Sequence, residues 1–340
     1  MKSLSLNNFR SYSEREFVFD PSVTVIFGPN GAGKTNILEA IYVLFQGKSF
    51  RDSDDLLTQY DKDWWRIVGE LGSDKREMRY QPGVVSPKQL VVGDKKTRFN
   101  YRQQLPLVLF EPDDLLMIHG SPGSRRRHID SILQLIEPDY RRTVTRYERA
   151  LLQRNNILKR RPRLHEAADA VFAWDIVLAE YGAAIMQKRA KLVEAIAAQL
   201  GSYYRDISGG QEKIDIIYRP TTEPSSHALA AKLAQNLEND LARGSTSAGP
   251  HRDDTEYYMR GKAAKNTASR GEVRSLVLAL KLFELDHIAS NRGETPIFLL
   301  DDVFSELDTT RQDAVVSPRK TQIIITSTAP SRAKTYQIEL

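Results

Sequence analysis

The chain has 340 residues, a formal net charge of +5 at pH 7 and no cysteine. Its length allows one large domain or two with ample core, the lack of cysteine excludes a disulfide framework and any thiolate-bound metal, and no apolar run approaches the roughly 20 residues of a membrane span. The opening Leu4-Ser-Leu6 segment is strand-like and no apolar signal region precedes it, so the sequence places the protein in the cytoplasm with no membrane partner. Next in chain order, the β-branched and aromatic run Val23-Thr-Val-Ile-Phe27 predicts a buried strand, and Ile37, Ile41 and Leu44 recur at helical spacing after it. Trp64-Trp-Arg-Ile-Val68 and Gln89-Leu-Val-Val92, bounded by Gly72, Gly83 and Gly93, predict an antiparallel sheet beside that strand and helix. From about residue 121 to about 242 the pattern becomes helical, most clearly from Gly182 to Leu200, with breaks expected at Gly201, Gly209-Gly210 and Pro220. A further helix is predicted by Val273, Leu276, Val277, Leu280 and Phe283, and two late apolar runs, Pro296-Ile-Phe-Leu-Leu300 and Gln322 to Ile325, predict strands.

The chemistry begins between the first buried strand and its helix. Gly28, Pro29, Asn30, Gly31, Ala32, Gly33, Lys34 and Thr35 spell a complete P-loop, continued by Asn36. Glycines let consecutive backbone N–H groups curl around a phosphate, and the positive end of the following helix adds attraction. Lys34 is expected to reach the outer phosphates of ATP and Thr35 to ligate magnesium. Far downstream, the strand ending in Asp301-Asp302 has the Walker B pattern. Asp301 would hold magnesium, while Asp302 would orient and deprotonate the water that attacks the γ-phosphate, with Glu306 next in line for that role.

Between them, Ser269-Arg-Gly-Glu272 opens a helix just after a Ser/Gly turn. A P-loop, a Ser-x-Gly turn opening a helix, and a Walker B strand followed by Ser305-Glu-Leu-Asp308 is the layout of ABC-type ATPase heads. In such heads the signature serine and glycine of one subunit close over the γ-phosphate held by the other, which makes Ser269 and Gly271 catalytic in trans and requires a homodimer. A transporter ATPase subunit would carry a Leu-Ser-Gly-Gly-Gln signature and a switch histidine, where this chain has Ser269-Arg-Gly-Glu272 and, at the switch position, Thr326 and Ser327. A purely structural SMC-like head would need long heptad arms, and none is visible.

Nearly the whole chain resembles the RecF family of bacterial recombination mediators, relatives of the SMC and other DNA-repair ABC ATPases. The resemblance rests on Leu6-Asn-Asn-Phe-Arg-Ser-Tyr12, the P-loop with its continuation to Ala40, Gly47-Lys-Ser-Phe-Arg51, Phe110-Glu-Pro-Asp-Asp114, Gly120-Ser-Pro-Gly-Ser-Arg-Arg-Arg127, Arg154-Asn-Asn156, Ser247-Ala-Gly-Pro-His-Arg-Asp-Asp254, Ser269 to Arg274 and Leu299 to Asp308. The stretch after Asp308 looks shorter than is usual for the family, and Glu111-Pro-Asp-Asp114 stands where related heads often use a sensing glutamine. The resemblance implies an α/β ABC-type head with a mixed-sheet core lobe from residues 1–116 and 291–340, and an inserted, mainly helical lobe over 117–290 that carries the signature turn. It also implies an ATP-dependent dimer that clamps double-stranded or gapped DNA, hydrolyses ATP slowly under DNA stimulation, and works with RecO and RecR to load RecA in recombinational repair, replication and the SOS response.

Charge distribution adds a DNA expectation of its own. Arg125, Arg126, Arg127, Arg141, Arg142, Arg146, Arg149, Arg154 and Lys159-Arg160-Arg161-Pro-Arg163 crowd positive charge into a short span, in which Glu137, Asp139 and Glu148 are too few to neutralise it. Arginines at helical spacing lay a basic stripe against phosphates, giving sequence-independent, salt-sensitive affinity; the competing reading is a solvated helix face. The six histidines show no metal spacing. His251 and Arg252 fit a hydrogen-bonded turn as well as a contact to nucleotide or partner, and Trp64 and Trp65 fit one ring inside and one outside better than base stacking.

Overall fold

The structure, a computed structural model, describes residues 1–302, 307–317, 320–330 and 335–340. It divides into two compact units, Met1–Asp114 with Glu284–Leu340, and Leu115–Phe283. The first unit opens with β1 (Ser3–Phe9), β2 (Tyr12–Val18), β3 (Val23–Phe27), α1 (Lys34–Gln46), β4 (Trp65–Leu71), β5 (Asp74–Tyr80), β6 (Lys88–Val92), β7 (Lys95–Thr97) and β8 (Leu107–Phe110). Six of these strands form an antiparallel sheet in the order β2-β1-β4-β5-β6-β7. The tryptophan pair divides as the strand period demands: Trp65 is buried, crossing Phe9 edge-on at 5.7 Å and stacking on Tyr80 at 5.8 Å, while Trp64 is exposed.

The second unit contains α2 (Leu116–His119), α3 (Pro122–Ile136), α4 (Tyr140–Lys159), α5 (Leu164–Ser208), β9 (Ile214–Arg219), α6 (Ser226–Gln235), α7 (Leu237–Arg243), β10 (Asp254–Met259), β11 (Lys262–Ala263), α8 (Ala264–Thr267) and the start of α9 (Arg270–Arg292). Gly201 does not break a helix as expected: α5 runs through it for 45 residues and ends at Gly209, whose φ of 65° is the left-handed cap glycine takes without strain. A lone glycine costs a long helix only about 1 kcal/mol, too little to end one that is packed along its length. The helical expectation for this part of the chain also missed a small sheet, β11-β10-β9, antiparallel throughout. Buried and half-exposed residues alternate along β10, as in a sheet with one covered face.

α9 carries the chain back into the first unit, where β12 (Ile297–Leu300), α10 (Thr309–Val316), β13 (Ile323–Ser327) and β14 (Tyr336–Glu339) follow. They complete a five-stranded parallel sheet in the order β14-β3-β13-β12-β8. β12 and β13 are buried along their whole length, which is why β12 and the Ile323–Ile325 part of β13 read as apolar runs; the last two residues of β13, Thr326 and Ser327, are buried polar groups. Within this unit α1 touches strands of both sheets, and Ile37, Leu38, Ala40, Ile41, Val43, Leu44 and Phe45 are all buried. A helix apolar around most of its circumference requires cover on both sides. The P-loop, at the junction of β3 and α1, is thereby held on a rigid base.

Candidate functional site

The backbone of the P-loop is set by its glycines. Gly31 and Gly33 have φ of 83° and 97°, left-handed values that a side chain would strain. A Cβ on Gly33 would also come within 2.7 Å of the Tyr12 hydroxyl and 2.8 Å of Ser11 Oγ. Gly33 starts α1 with no side-chain cap and no acidic residue in the first turn, leaving the helix's amide end for an anion. Pro29, Asn30 and Gly31 are exposed at the tip, Gly28 is buried at the base, and Ala32 closes the turn through its amide to the Pro29 carbonyl at 3.3 Å. Lys34 is only 7% exposed and donates Nζ to the carbonyls of Gly28 at 2.8 Å and Pro29 at 2.9 Å, so its ammonium lies folded along the loop. Asn36 donates to Ser11 Oγ at 3.0 Å, fastening the start of α1 to the β1–β2 turn.

The Walker B carboxylate meets the P-loop directly. Thr35 Oγ1 donates to Asp301 Oδ1 at 2.9 Å across 266 positions of sequence. Thr35 opens α1 just past the C-terminal end of β3, and Asp301 follows the C-terminal end of β12, two places away in the same parallel sheet, so both lie at the edge where open α/β sheets place their ligands. Thr326 supports Asp301 from behind: its hydroxyl donates to Asp301 Oδ1 at 2.9 Å and accepts the Asp302 amide at 2.8 Å. Thr326 is therefore wholly buried and buttresses the carboxylate pair, instead of standing forward like a switch histidine. Burial raises the pKa of Asp301, the hydrogen bonds from Thr35 and Thr326 pull it back, and the adjacent Asp302 charge pushes it up again. That environment suits a carboxylate awaiting a cation, and Thr35 with Asp301 supplies the oxygen donors magnesium prefers. Asp302 has φ 50°, a left-handed backbone conformation just past the end of β12 that a non-glycine residue rarely adopts. Ser305 and Glu306 lie outside the described residues, and among the described residues no cluster of three His, Cys, Asp or Glu could hold a metal.

Ser269 and Gly271 belong to the second unit, at the exposed start of α9. Ser269 donates its amide to Glu272 Oε2 at 2.7 Å and Ser269 Oγ accepts the Glu272 amide at 3.3 Å, the reciprocal bonds of a capping box. Around Gly271 a Cβ would meet nothing within 4 Å and its φ is not positive, so among the described residues no contact requires glycine there.

The basic residues fall into separate groups. Arg125 is 5% exposed, pairing Nε and Nη2 with Asp254 at 2.6 and 2.9 Å and giving Nη1 to the Gly120 carbonyl at 2.8 Å. Arg154 is wholly buried among Asp175, Asp240 and Thr246. Neither guanidinium is presented to solution, which corrects their place in the expected DNA face: each is buried and paired with carboxylates of the fold. Arg126 is half-buried and donates to the Asp253 carbonyl at 2.7 Å, while Arg127 is exposed and reaches Ser124 Oγ at 3.2 Å. Lys159, Arg160 and Arg161 are all exposed at the end of α4. His251 belongs to the fold as well: Nε2 donates to the Thr246 carbonyl at 3.0 Å, Nδ1 accepts the Tyr147 hydroxyl at 2.6 Å, and burial lowers its pKa to about 4.

A P-loop whose threonine touches a Walker B aspartate at the end of a parallel-sheet strand, with an antiparallel sheet in the same unit and a Ser-x-Gly helix start in the second unit, defines an ABC-type P-loop ATPase head. Residues 3–105 match the family model described as an AAA domain. The chain is 34% identical to the DNA replication and repair protein RecF of Natranaerobius thermophilus, across 97% of this chain and 91% of that protein. It is likewise 34% identical to the same-named protein of Bacillus cereus strain B4264, across 97% and 92%. The chain belongs to the RecF family. Two solved structures of the recombination mediator protein RecF in the RecFOR pathway superpose on it at 30% identity: RecF-ATPrS with a TM-score of 0.88, covering 100% of this chain and 95% of that one, and RecF-ATP with 0.85, covering 98% and 93%. The Pyrococcus furiosus Smc head with an extended coiled coil shares the fold, at a TM-score of 0.52 and 16% identity over 96% of this chain and 89% of that one. Among the described residues no helix is long and apolar enough to cross a membrane.

Proposed function

We propose that this chain is an ATP-dependent DNA-binding switch of recombinational repair and replication. ATP enters the P-loop, its phosphates taken by the amide end of α1, by the backbone of residues 28–33 and by Lys34, which exchanges the Gly28 and Pro29 carbonyls for the outer phosphates. Thr35 and Asp301 would hold magnesium, which when bound neutralises charge on those phosphates. Asp302 takes the proton of the attacking water. Ser269 and Gly271 of a second copy close over the γ-phosphate, so ATP joins two chains head to tail. Exposed basic residues of the second unit then meet duplex or gapped DNA, and slow hydrolysis, stimulated by that DNA, releases it. By analogy with the RecFOR proteins, its partners are RecR and RecO, its outcome is RecA loading, and its place is the cytoplasm.

The observation that carries this reading is the Thr35–Asp301 contact at 2.9 Å, which assembles the two halves of a nucleotide site from opposite ends of the sequence. Gly271 supports the trans contact, because among the described residues nothing lies within 4 Å of where its Cβ would stand, so the space a glycine leaves there is open to a partner. The test is complementation. Lys34→Met and Ser269→Arg each abolish ATP-dependent dimers and turnover alone, but a mixture contains one site with both halves intact and recovers part of the ATPase activity. Mixed dimers with no recovered turnover would refute head-to-tail sharing of the site.

A further inference from the structure

The signature turn is shaped by a residue outside it. Residues 259–262 join β10 to β11 with Met259 opposite Lys262, and both residues between them have positive φ, 53° at Arg260 and 74° at Gly261. That is a two-residue hairpin of the type that favours Asn-Gly or Gly-Gly, so an arginine at its first position is strained. The Arg260 amide is tied to the Lys213 carbonyl at 2.9 Å. Its guanidinium Nη1 donates to Glu272 Oε1 at 2.6 Å and lies 3.8 Å from Glu212 Oε1. Glu272 meanwhile accepts the Ser269 amide on its other oxygen at 2.7 Å. One carboxylate thus links a strained arginine to the signature serine. The Arg260 hydrogen bond, followed by the one from the Ser269 amide, lowers the Glu272 pKa to about 2, so this carboxylate is charged at any working pH.

A charged glutamate in the first turn of a helix has a cost for phosphate binding. It occupies the positive end of the helix and repels an incoming γ-phosphate. A guanidinium on the same carboxylate removes most of that repulsion while leaving the capping bonds intact. We propose that Arg260 is a positioning residue for the signature turn: it holds and neutralises Glu272, so that the Ser269 hydroxyl and the amide end of α9 are set to receive the γ-phosphate of ATP bound to a second copy of this chain. The inference rests on the assignment of Ser269 and Gly271 to the trans contact.

The test compares Arg260→Met, Arg260→Lys, the double variant Arg260→Met with Glu272→Gln, and Ser269→Arg. The Arg260–Glu272 pair is exposed enough to contribute little to folding. Arg260→Met should therefore melt like the wild type and bind a fluorescent ATP analogue as a monomer with unchanged affinity. Its ATP-dependent dimerisation should weaken about 10-fold and its turnover should fall in step, with Arg260→Lys recovering part of the loss. The double variant should recover most of it, since the glutamine amide oxygen still caps the helix and the repelling charge is gone. Wild-type dimerisation in Arg260→Met, a loss accompanied by an equal drop in melting temperature, or no recovery in the double variant overturns the inference. Ser269→Arg separates the two ideas: if it still dimerises with ATP the trans assignment itself fails, and if it does not while Arg260→Met behaves as wild type, only the role of Arg260 fails.

Discussion

Arg125 and Arg160 read as parts of one basic tract, yet their substitution should produce opposite phenotypes. Changing Lys159, Arg160 and Arg161 together to Gln removes three exposed charges at the end of α4. If each meets one phosphate, the slope of log K against log salt falls by up to ~0.9 per contact, about 2.7 for the set, and at 0.15 M salt affinity for a duplex drops by at most on the order of 100-fold. Folding should change by less than about 0.5 kcal/mol, as for exposed substitutions generally. Arg125→Gln should do the reverse. It deletes a buried fork and its three hydrogen bonds, and leaves the Asp254 carboxylate with the Thr255 amide at 2.7 Å. Removing one partner of a fully buried ion pair costs 3–5 kcal/mol; Asp254 keeps a quarter of its side-chain surface in water, so about 2–3 kcal/mol is expected. Urea unfolding followed by far-UV circular dichroism reads the stability, and anisotropy of a labelled duplex across a KCl series reads the slope. An Arg125→Gln protein as stable as wild type and sharing the triple variant's reduced slope would mean that Arg125 meets phosphate and not Asp254. A triple variant with the wild-type slope would move the DNA path to the surface around Arg51, Lys95, Lys96 and Arg98.

Asp302→Asn should keep ATP-bound dimers in light scattering while phosphate release slows by about 10²-fold or more, the usual contribution of a positioned general base; unchanged turnover would pass that role to Glu306. His251 gives an acid-stability prediction. Burial lowers its pKa from 6.5 to about 4, so between those values the unfolded chain binds a proton that the folded chain does not, and stability falls as pH falls through that window. The loss from pH 7 to pH 4 is up to about 3 kcal/mol, and His251→Asn should flatten that part of the profile in urea midpoints measured across pH. Equal acid slopes in the two proteins would show that His251 is not the titrating group.

The nucleotide site was legible because its chemistry leaves little freedom. A loop that wraps a phosphate needs Gly31 and Gly33 at positive φ, and strands buried on both faces, such as β12 and the first three residues of β13, show as short apolar runs. The contact of Thr326 with Asp301 was not legible, since a threonine after a strand carries no sign of which neighbour its hydroxyl meets. The small sheet of β9, β10 and β11 was missed for another reason: its strands are short, six, six and two residues, and the one strong local signal, Arg260-Gly261 at a two-residue turn, lacks the asparagine or aspartate usual at its first position.

The arginines went astray because a count of charge ignores which helix face carries it. Arg125 lies on the same stripe as His128, Ile129 and Ile132, and Arg154 on that of Tyr147, Ala150 and Leu158, all of them buried. At 3.6 residues per turn such a residue faces inward whatever its charge, and an inward guanidinium persists only if carboxylates come to meet it. Asp254 does so for Arg125, and Asp175 with Asp240 for Arg154. The same periodicity sorts the remainder of α4. Arg142, Arg146 and Arg149 share one exposed face away from that stripe, and Arg160 follows just past its end. Arg142 lies 3.4 Å from exposed Asp139 and Arg146 donates to the Tyr181 hydroxyl, neither of which requires a buried charge to be matched. A basic face of this kind, kept free of the core by spacing alone, is the part of the tract on which sequence-independent phosphate contact can rest.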